Sequence, residues 1–204
     1  MVDLDLLFGQ EVENKLLDKV EKELFESRII YLNEDISDLT ISNIVPLIHK
    51  INIDDKDKKL EEIEPIKIFI TSYGGSAYDG WNLVSALENS RTPIYTICES
   101  YAMSMGLPIF LSGTRRYLGK YASLLYHELR GRSPELTRQE VKRLDKEYDR
   151  LQKVYDEYIV NRSSVTQEIL DDYQERVSDW YINYEEAKKY NMFTHEYIGL
   201  HNIK

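Results

Sequence analysis

Short apolar runs alternate along this chain with stretches whose apolar positions recur every third or fourth residue, which predicts strands and helices in alternation. Val12, Leu16, Leu17, Val20 and Leu24 stand at helical spacing and predict an amphipathic N-terminal helix over residues 11–26. Arg28-Ile29-Ile30-Tyr31-Leu32 reads as a short strand and Asn33-Glu34-Asp35 as a turn. Ile41, Ile44, Val45, Ile48 and Ile51 predict a helix from Thr40 to Ile51, and the charged stretch 54–64 reads as a solvated loop with no chemistry. Pro65 to Thr71 is a strand, Ser72-Tyr73-Gly74-Gly75-Ser76 a turn, Ala77 to Asn89 a helix, and Pro93 to Cys98 a strand. A turn around Ser104 then opens a short helix, Gly113 to Arg116 reads as a break, and Tyr117 to His127 as one or two strands.

The order β-α-β-α-β implies an α/β fold with a mainly parallel sheet and right-handed crossovers. Thr137-Arg138-Gln139-Glu140 is a capping box. It opens a helix to about Asn161, with Val141, Leu144, Leu151, Val154 and Tyr158 on one face. At ~1.5 Å per residue this rod is roughly 35 Å long, more than a small sheet needs for cover, so part of it is expected to project and meet another subunit. A second helix is expected from Ser164 to about Arg176, a turn at Ser178 to Tyr181, a short helix from Tyr184 to Tyr190, and a closing strand at Ile198-Gly199-Leu200. No internal repeat or linker divides the 204 residues, which reads as one domain over 1–204.

Net charge is −10 and Arg115-Arg116 is the longest basic cluster, which argues against nucleic acid as a partner. No apolar run reaches the length of a membrane span and no leader pattern opens the chain, so a cytoplasmic protein is expected. A single cysteine, Cys98, lies in an apolar strand and reads as a buried structural thiol in a reducing compartment. The sixteen tyrosines serve either subunit contacts or the edges of the core.

Parallel sheets build sites where strands end and helices begin, and two such ends carry chemistry. Gly74-Gly75 lacks side chains and brings a backbone amide close to a substrate. Ser104 offers a hydroxyl and Met105 an amide, so Gly75 and Met105 together suit a two-donor oxyanion hole. Pro108 predicts that the following helix starts late or bends. Of four histidines, His127 closes a strand, the place for a general base, although a structural role fits it equally; His49, His195 and His201 lack that setting. The orienting acid stays open among Asp171, Asp172, Glu175 and Asp179.

Ile70-Thr71-Ser72-Tyr73-Gly74-Gly75-Ser76, Ala102-Met103-Ser104-Met105-Gly106 and Leu125-Tyr126-His127 together resemble the proteolytic subunit of the Clp protease, the ClpP family. Arg28-Ile29-Ile30-Tyr31-Leu32, the interval from Gly75 to Ser104, and Glu185-Glu186-Ala187-Lys188-Lys189-Tyr190 extend the likeness over about residues 24 to 198. The resemblance implies the ClpP/crotonase-like fold with a protruding handle helix in the region 133–176. It also implies a serine endopeptidase with Ser104 as nucleophile, His127 as base and Asp179 as the acid orienting it, and oxyanion donors at Gly75 and Met105. Ser76, Ala77 and Tyr78 on one side, and Leu129, Arg130 and Gly131 on the other, are implied to hold an extended peptide. No cofactor or metal is implied. The implied partners are unfolded polypeptide, an AAA+ unfoldase of the ClpX, ClpA or ClpC kind, and further copies of the chain in two stacked heptameric rings.

Tyr73 stands where the family has proline, Glu128-Leu129 where it has Gln-Pro, Asn191 where it has glycine, and residues 1–23 do not match its axial loops. These departures motivate an alternative, a catalytically weak or inactive scaffold or regulatory ring subunit. A third reading, acyl-CoA chemistry on the same fold, also uses paired oxyanion amides but needs no Ser/His/Asp set.

Overall fold

A computed structural model describes residues 19–131 and 135–203. Among these residues eight strands form two sheets. Strands β1 (Ile29–Leu32), β2 (Ile66–Ile70), β3 (Ile94–Cys98), β5 (Arg115–Gly119) and β8 (His195–Tyr197) lie in the order β1-β2-β3-β5-β8, every pairing parallel. Isoleucine-rich β2 and fully buried β3 form the centre, as a sheet covered on both faces requires. Strands β4 (Tyr101–Met103), β6 (Ser123–Tyr126) and β7 (Trp180–Ile182) form a smaller sheet, with β4 parallel and β7 antiparallel to β6.

Alternation along the strands divides the core. Ile68, Ile70, Cys98 and Leu118 face the main cluster beneath α1 (Asp38–Asp54), α2 (Ala77–Glu88) and α3 (Gly106–Leu111). Phe69, Tyr95, Ile97 and Tyr117 form a second cluster on the opposite face. Helix α3 is buried at every position and packs behind the turn that carries Ser104. Helix α4 (Arg138–Arg162) begins at the Thr137–Glu140 capping box, buries nothing until Leu151, and leaves Val141 exposed, so its first half stands clear of the chain's own core. Helices α5 (Gln167–Glu175) and α6 (Tyr184–Lys189) complete the chain.

Several sequence expectations need correction. Helix α1 starts earlier than Thr40 because the Ser37 side chain caps it by accepting from the Thr40 amide. The charged loop is not wholly solvated: Asp55 is buried, with Arg28 donating two bonds to its carboxylate at 2.6 and 2.7 Å, Lys58 a third and Thr92 a fourth. Those donors hold the Asp55 carboxyl well below the usual carboxylate range, Arg28 contributing most. Gly113 to Arg116 breaks only as far as Thr114, since β5 begins at Arg115. Trp180 and Tyr181 belong to a strand with Ile182 rather than to the turn before it. The closing strand is His195–Tyr197, and residues 200–202 form a single 3-10 turn after Gly199 at φ +126°. The inner face of α4 is Leu151, Tyr155, Asp156 and Ile159, with Val154 and Tyr158 at its edge. Of the N-terminal helix, residues 19–26 are helical, while Val12, Leu16 and Leu17 lie outside the described residues.

Candidate active site

Ser104 leaves β4 and precedes α3 with φ +51°, a left-handed conformation that costs a non-glycine residue about 1 kcal/mol or more. Its neighbours over-determine it. The Ser104 amide donates to the Leu125 carbonyl at 3.0 Å, and the Ser104 carbonyl accepts from the Leu107 amide at 2.9 Å and the Tyr155 hydroxyl at 3.1 Å. A strained strand-to-helix turn is the kind of backbone that exposes a serine hydroxyl, and Ser104 lines a groove. Pro108 neither delays nor blocks α3, which starts at Gly106; the proline falls in the first turn, where its missing N–H has no intrahelical partner to lose.

Gly74 and Gly75 press against this turn at φ +99° and +151°. A Cβ on Gly74 would stand 2.6 Å from the Ser104 Cβ and 3.0 Å from the Met105 nitrogen. A Cβ on Gly75 would stand 2.2 Å from the Ile36 carbonyl oxygen. Ile36 bridges this segment as a short parallel pair, donating to the Gly74 carbonyl and accepting from the Ser76 amide, both at 2.8 Å. Among the described residues the Gly75 and Met105 amides have no hydrogen-bond partner, which leaves two N–H groups beside the serine.

One groove of about 530 Å³ joins most of the implied site. Gly75, Ser76, Ala77, Tyr78, Ser104, His127, Leu129 and Arg130 line it, together with Tyr148 and Leu151 of α4. Gly131 lies behind it against Tyr148, whose ring occupies the space a Gly131 side chain would need. The Leu129 amide donates to the Gln152 side chain at 2.7 Å, so α4 also fixes the segment after His127. At the rim the Tyr78 hydroxyl donates to Glu147, a carboxylate that Arg150 holds down to about 2. Tyr148, Leu151 and Tyr155 were not singled out for the site from sequence; their spacing of three and four along α4 is the signal that places them on one face.

His127 directly follows β6, and Tyr126 before it donates to the buried Asp156 at 2.7 Å, tying that strand end to α4. The His127 Nδ1 lies 2.5 Å from the Glu128 carbonyl oxygen. A carbonyl only accepts, so Nδ1 is the donor in this contact, and in the neutral ring that leaves Nε2 as the acceptor, the tautomer a general base needs. Among the described residues the Ser104 hydroxyl has no hydrogen-bond partner, so Ser104 and His127 share the groove without a direct bond between them. His49, His195 and His201 do not line the groove.

Asp179 stands apart from the expected triad contact. The pairing of β6 with β7 ends with Tyr126 opposite Trp180, and His127 and Asp179 are the residues just beyond that pair on the two chains. The Asp179 carboxylate is ion-paired with Arg130 and not hydrogen-bonded to His127. Asp171, Asp172 and Glu175 lie on α5 and do not line the groove that holds Ser104 and His127. Cys98 is buried and its thiol pushed up to about 12 by that burial, which removes it as a nucleophile. No helix among the described residues is long and apolar enough to cross a membrane.

The sequence pattern of the Clp protease family matches residues 12–195. The chain belongs to the Clp protease family. Its relatives include the ATP-dependent Clp protease proteolytic subunit 1 of Prochlorococcus marinus, 32% identical over 106 residues, 52% of this chain and 50% of that protein. Proteolytic subunit 2 of a Synechococcus species is 29% identical over the same length, 52% of this chain and 49% of that protein. The chain thus spans about half the length of these Clp relatives. A point mutant of ClpP1 from Listeria monocytogenes has the same fold, with TM-score 0.76 at 16% identity over 91% of this chain and 99% of that one. The α/β architecture implied by the Ser104 and Gly75 motifs is therefore that of a divergent ClpP.

Proposed function

We propose that this Clp family member is a serine endopeptidase that hydrolyses unfolded polypeptide inside a chamber built from copies of itself. The observation that carries the proposal is the groove that Ser104, held left-handed, lines together with His127, with two unpartnered amides in the turns that carry Ser104 and Gly75. Ser104 Oγ attacks the peptide carbonyl while His127 Nε2 takes its proton. The Gly75 and Met105 amides receive the oxyanion, and His127 returns the proton to the leaving amine; water then cleaves the acyl-enzyme by the same steps. Helix α3 has only six residues, so the two amides rather than a helix dipole bear the charge. Asp179 orients His127 when its carboxylate is free to do so. Substrate lies extended between Ser76–Tyr78 and Leu129–Gly131, held mainly by backbone hydrogen bonds.

The exposed first half of α4 supports a handle through which two heptameric rings meet. The name of the relatives, proteolytic subunits of an ATP-dependent Clp protease, supports an ATP-driven partner as the source of substrate, which we take to be an AAA+ unfoldase in the cytoplasm. Mass photometry of the purified 24.1 kDa chain, with casein or fluorogenic peptide hydrolysis assayed across the same size fractions, tests the whole reading. We expect a large oligomer that carries the activity. A monomer at micromolar concentration would contradict the chamber, and a large oligomer without turnover would favour the ring-scaffold role instead.

A further inference from the structure

We propose that Arg130 is a positioning residue that sets how often the catalytic histidine has its acid, by competing with His127 for Asp179. The inference rests on the peptidase reading above. Three observations carry it. The β6–β7 pairing ends with Tyr126 opposite Trp180, and His127 and Asp179 each come one residue beyond that last pair, at the same end of the ladder. The Asp179 carboxylate is nevertheless engaged by the Arg130 guanidinium, three residues beyond the histidine. The proton on His127 Nδ1 is meanwhile directed to the Glu128 carbonyl at 2.5 Å, the bond it would exchange for the carboxylate.

Two arrangements share these groups. In the one described, Arg130 holds Asp179, and a neutral carbonyl fixes the tautomer of His127. That carbonyl orients the ring but stabilises the imidazolium formed during acylation less than a carboxylate does. In the other, Asp179 moves onto Nδ1–H and supplies the negative charge, and Arg130 turns into the groove it already lines. The Arg130 side chain is 67% exposed and that of Asp179 27%, so the pair is screened and readily opened. Arg130 therefore lowers the occupancy of the productive arrangement without abolishing it.

The test compares kcat and KM on a fluorogenic peptide for the assembled wild-type protein, Arg130→Gln and Arg130→Lys, each also combined with Asp179→Asn. Arg130→Gln is expected to raise kcat about fivefold at low salt, the ceiling for an exposed ion pair, with KM moving less than about twofold. Arg130→Lys, which keeps the charge but loses the planar fork, gains less. The gain disappears when residue 179 is asparagine, the coupling expected of two residues acting through one contact. Salt that shortens the Debye length from about 30 Å to about 3 Å raises the wild-type rate and leaves Arg130→Gln unmoved. The proposal is overturned if Arg130→Gln matches wild type, if Arg130→Lys gains as much, or if the gain survives Asp179→Asn. Ser104 labelling by a fluorophosphonate in the same samples separates the two levels. Labelled protein with an unmoved kcat overturns only the role of Arg130, whereas no labelling and no turnover in any variant overturns the peptidase reading and this inference with it.

Discussion

Replacing Ser104 with alanine is expected to lower peptide turnover by about 10⁶-fold, the loss seen when the nucleophile of a serine triad is removed. The change deletes one oxygen that has no hydrogen-bond partner among the described residues. The left-handed turn is held by backbone groups, the Leu125 carbonyl and the Leu107 amide, and by the Tyr155 hydroxyl on the Ser104 carbonyl. Alanine keeps all three contacts and bears a similar cost at φ +51°. Stability should therefore stay within about 0.5 kcal/mol of wild type, the range of a substitution that disturbs no contact. Steady-state hydrolysis of a fluorogenic peptide and a thermal melt on the same preparation separate loss of chemistry from loss of fold.

Gly75→Ala is expected to lower kcat/KM by about 10²–10³-fold, what one misplaced oxyanion donor costs. A methyl group there would stand 2.2 Å from the Ile36 carbonyl oxygen, a backbone atom that no rotamer change relieves. The Ile36–Gly75 bridge must open, which strains the bonds from Ile36 to the Gly74 carbonyl and from the Ser76 amide to Ile36. Opening it moves the one amide the account assigns to the oxyanion from this side of the groove. Unlike Ser104→Ala, the variant should also melt earlier, because φ +151° is a region that only glycine adopts without strain. Retained Ser104 labelling at a reduced rate would show that the nucleophile survives while the hole is spoiled.

The elements that read clearly from the sequence are those with enough residues to establish a rhythm. Five residues of Ile-Lys-Ile-Phe-Ile define β2, and Ile41, Ile44, Ile48 and Ile51 define the buried stripe of α1. Strands β4 and β7 have three residues each, too few to separate strand from turn, and both belong to the sheet that carries the site. Their pairing with β6 is long-range, which is why the sequence leaves the orienting acid open among four carboxylates, of which Asp179 is the one that directly precedes β7. Asp55 reads as one charge among many in 54–64, because Arg28 and Thr92 reach it only through the fold. Gly74, Gly75 and Ser104 were legible for a different reason: their conformations depend on local residue size, which composition displays directly. Arg130 was visible only as a substrate-binding position, and its hold on Asp179 appears only when both side chains are placed.

The central claim is that Ser104 is an activated nucleophile. The most direct measurement is intact and peptide mass spectrometry of the assembled protein after treatment with a fluorophosphonate. One adduct per chain is expected, on the peptide containing Ser104, and none on the Ser104→Ala protein. An assembled protein that acquires no adduct, or acquires it on another residue, would contradict it.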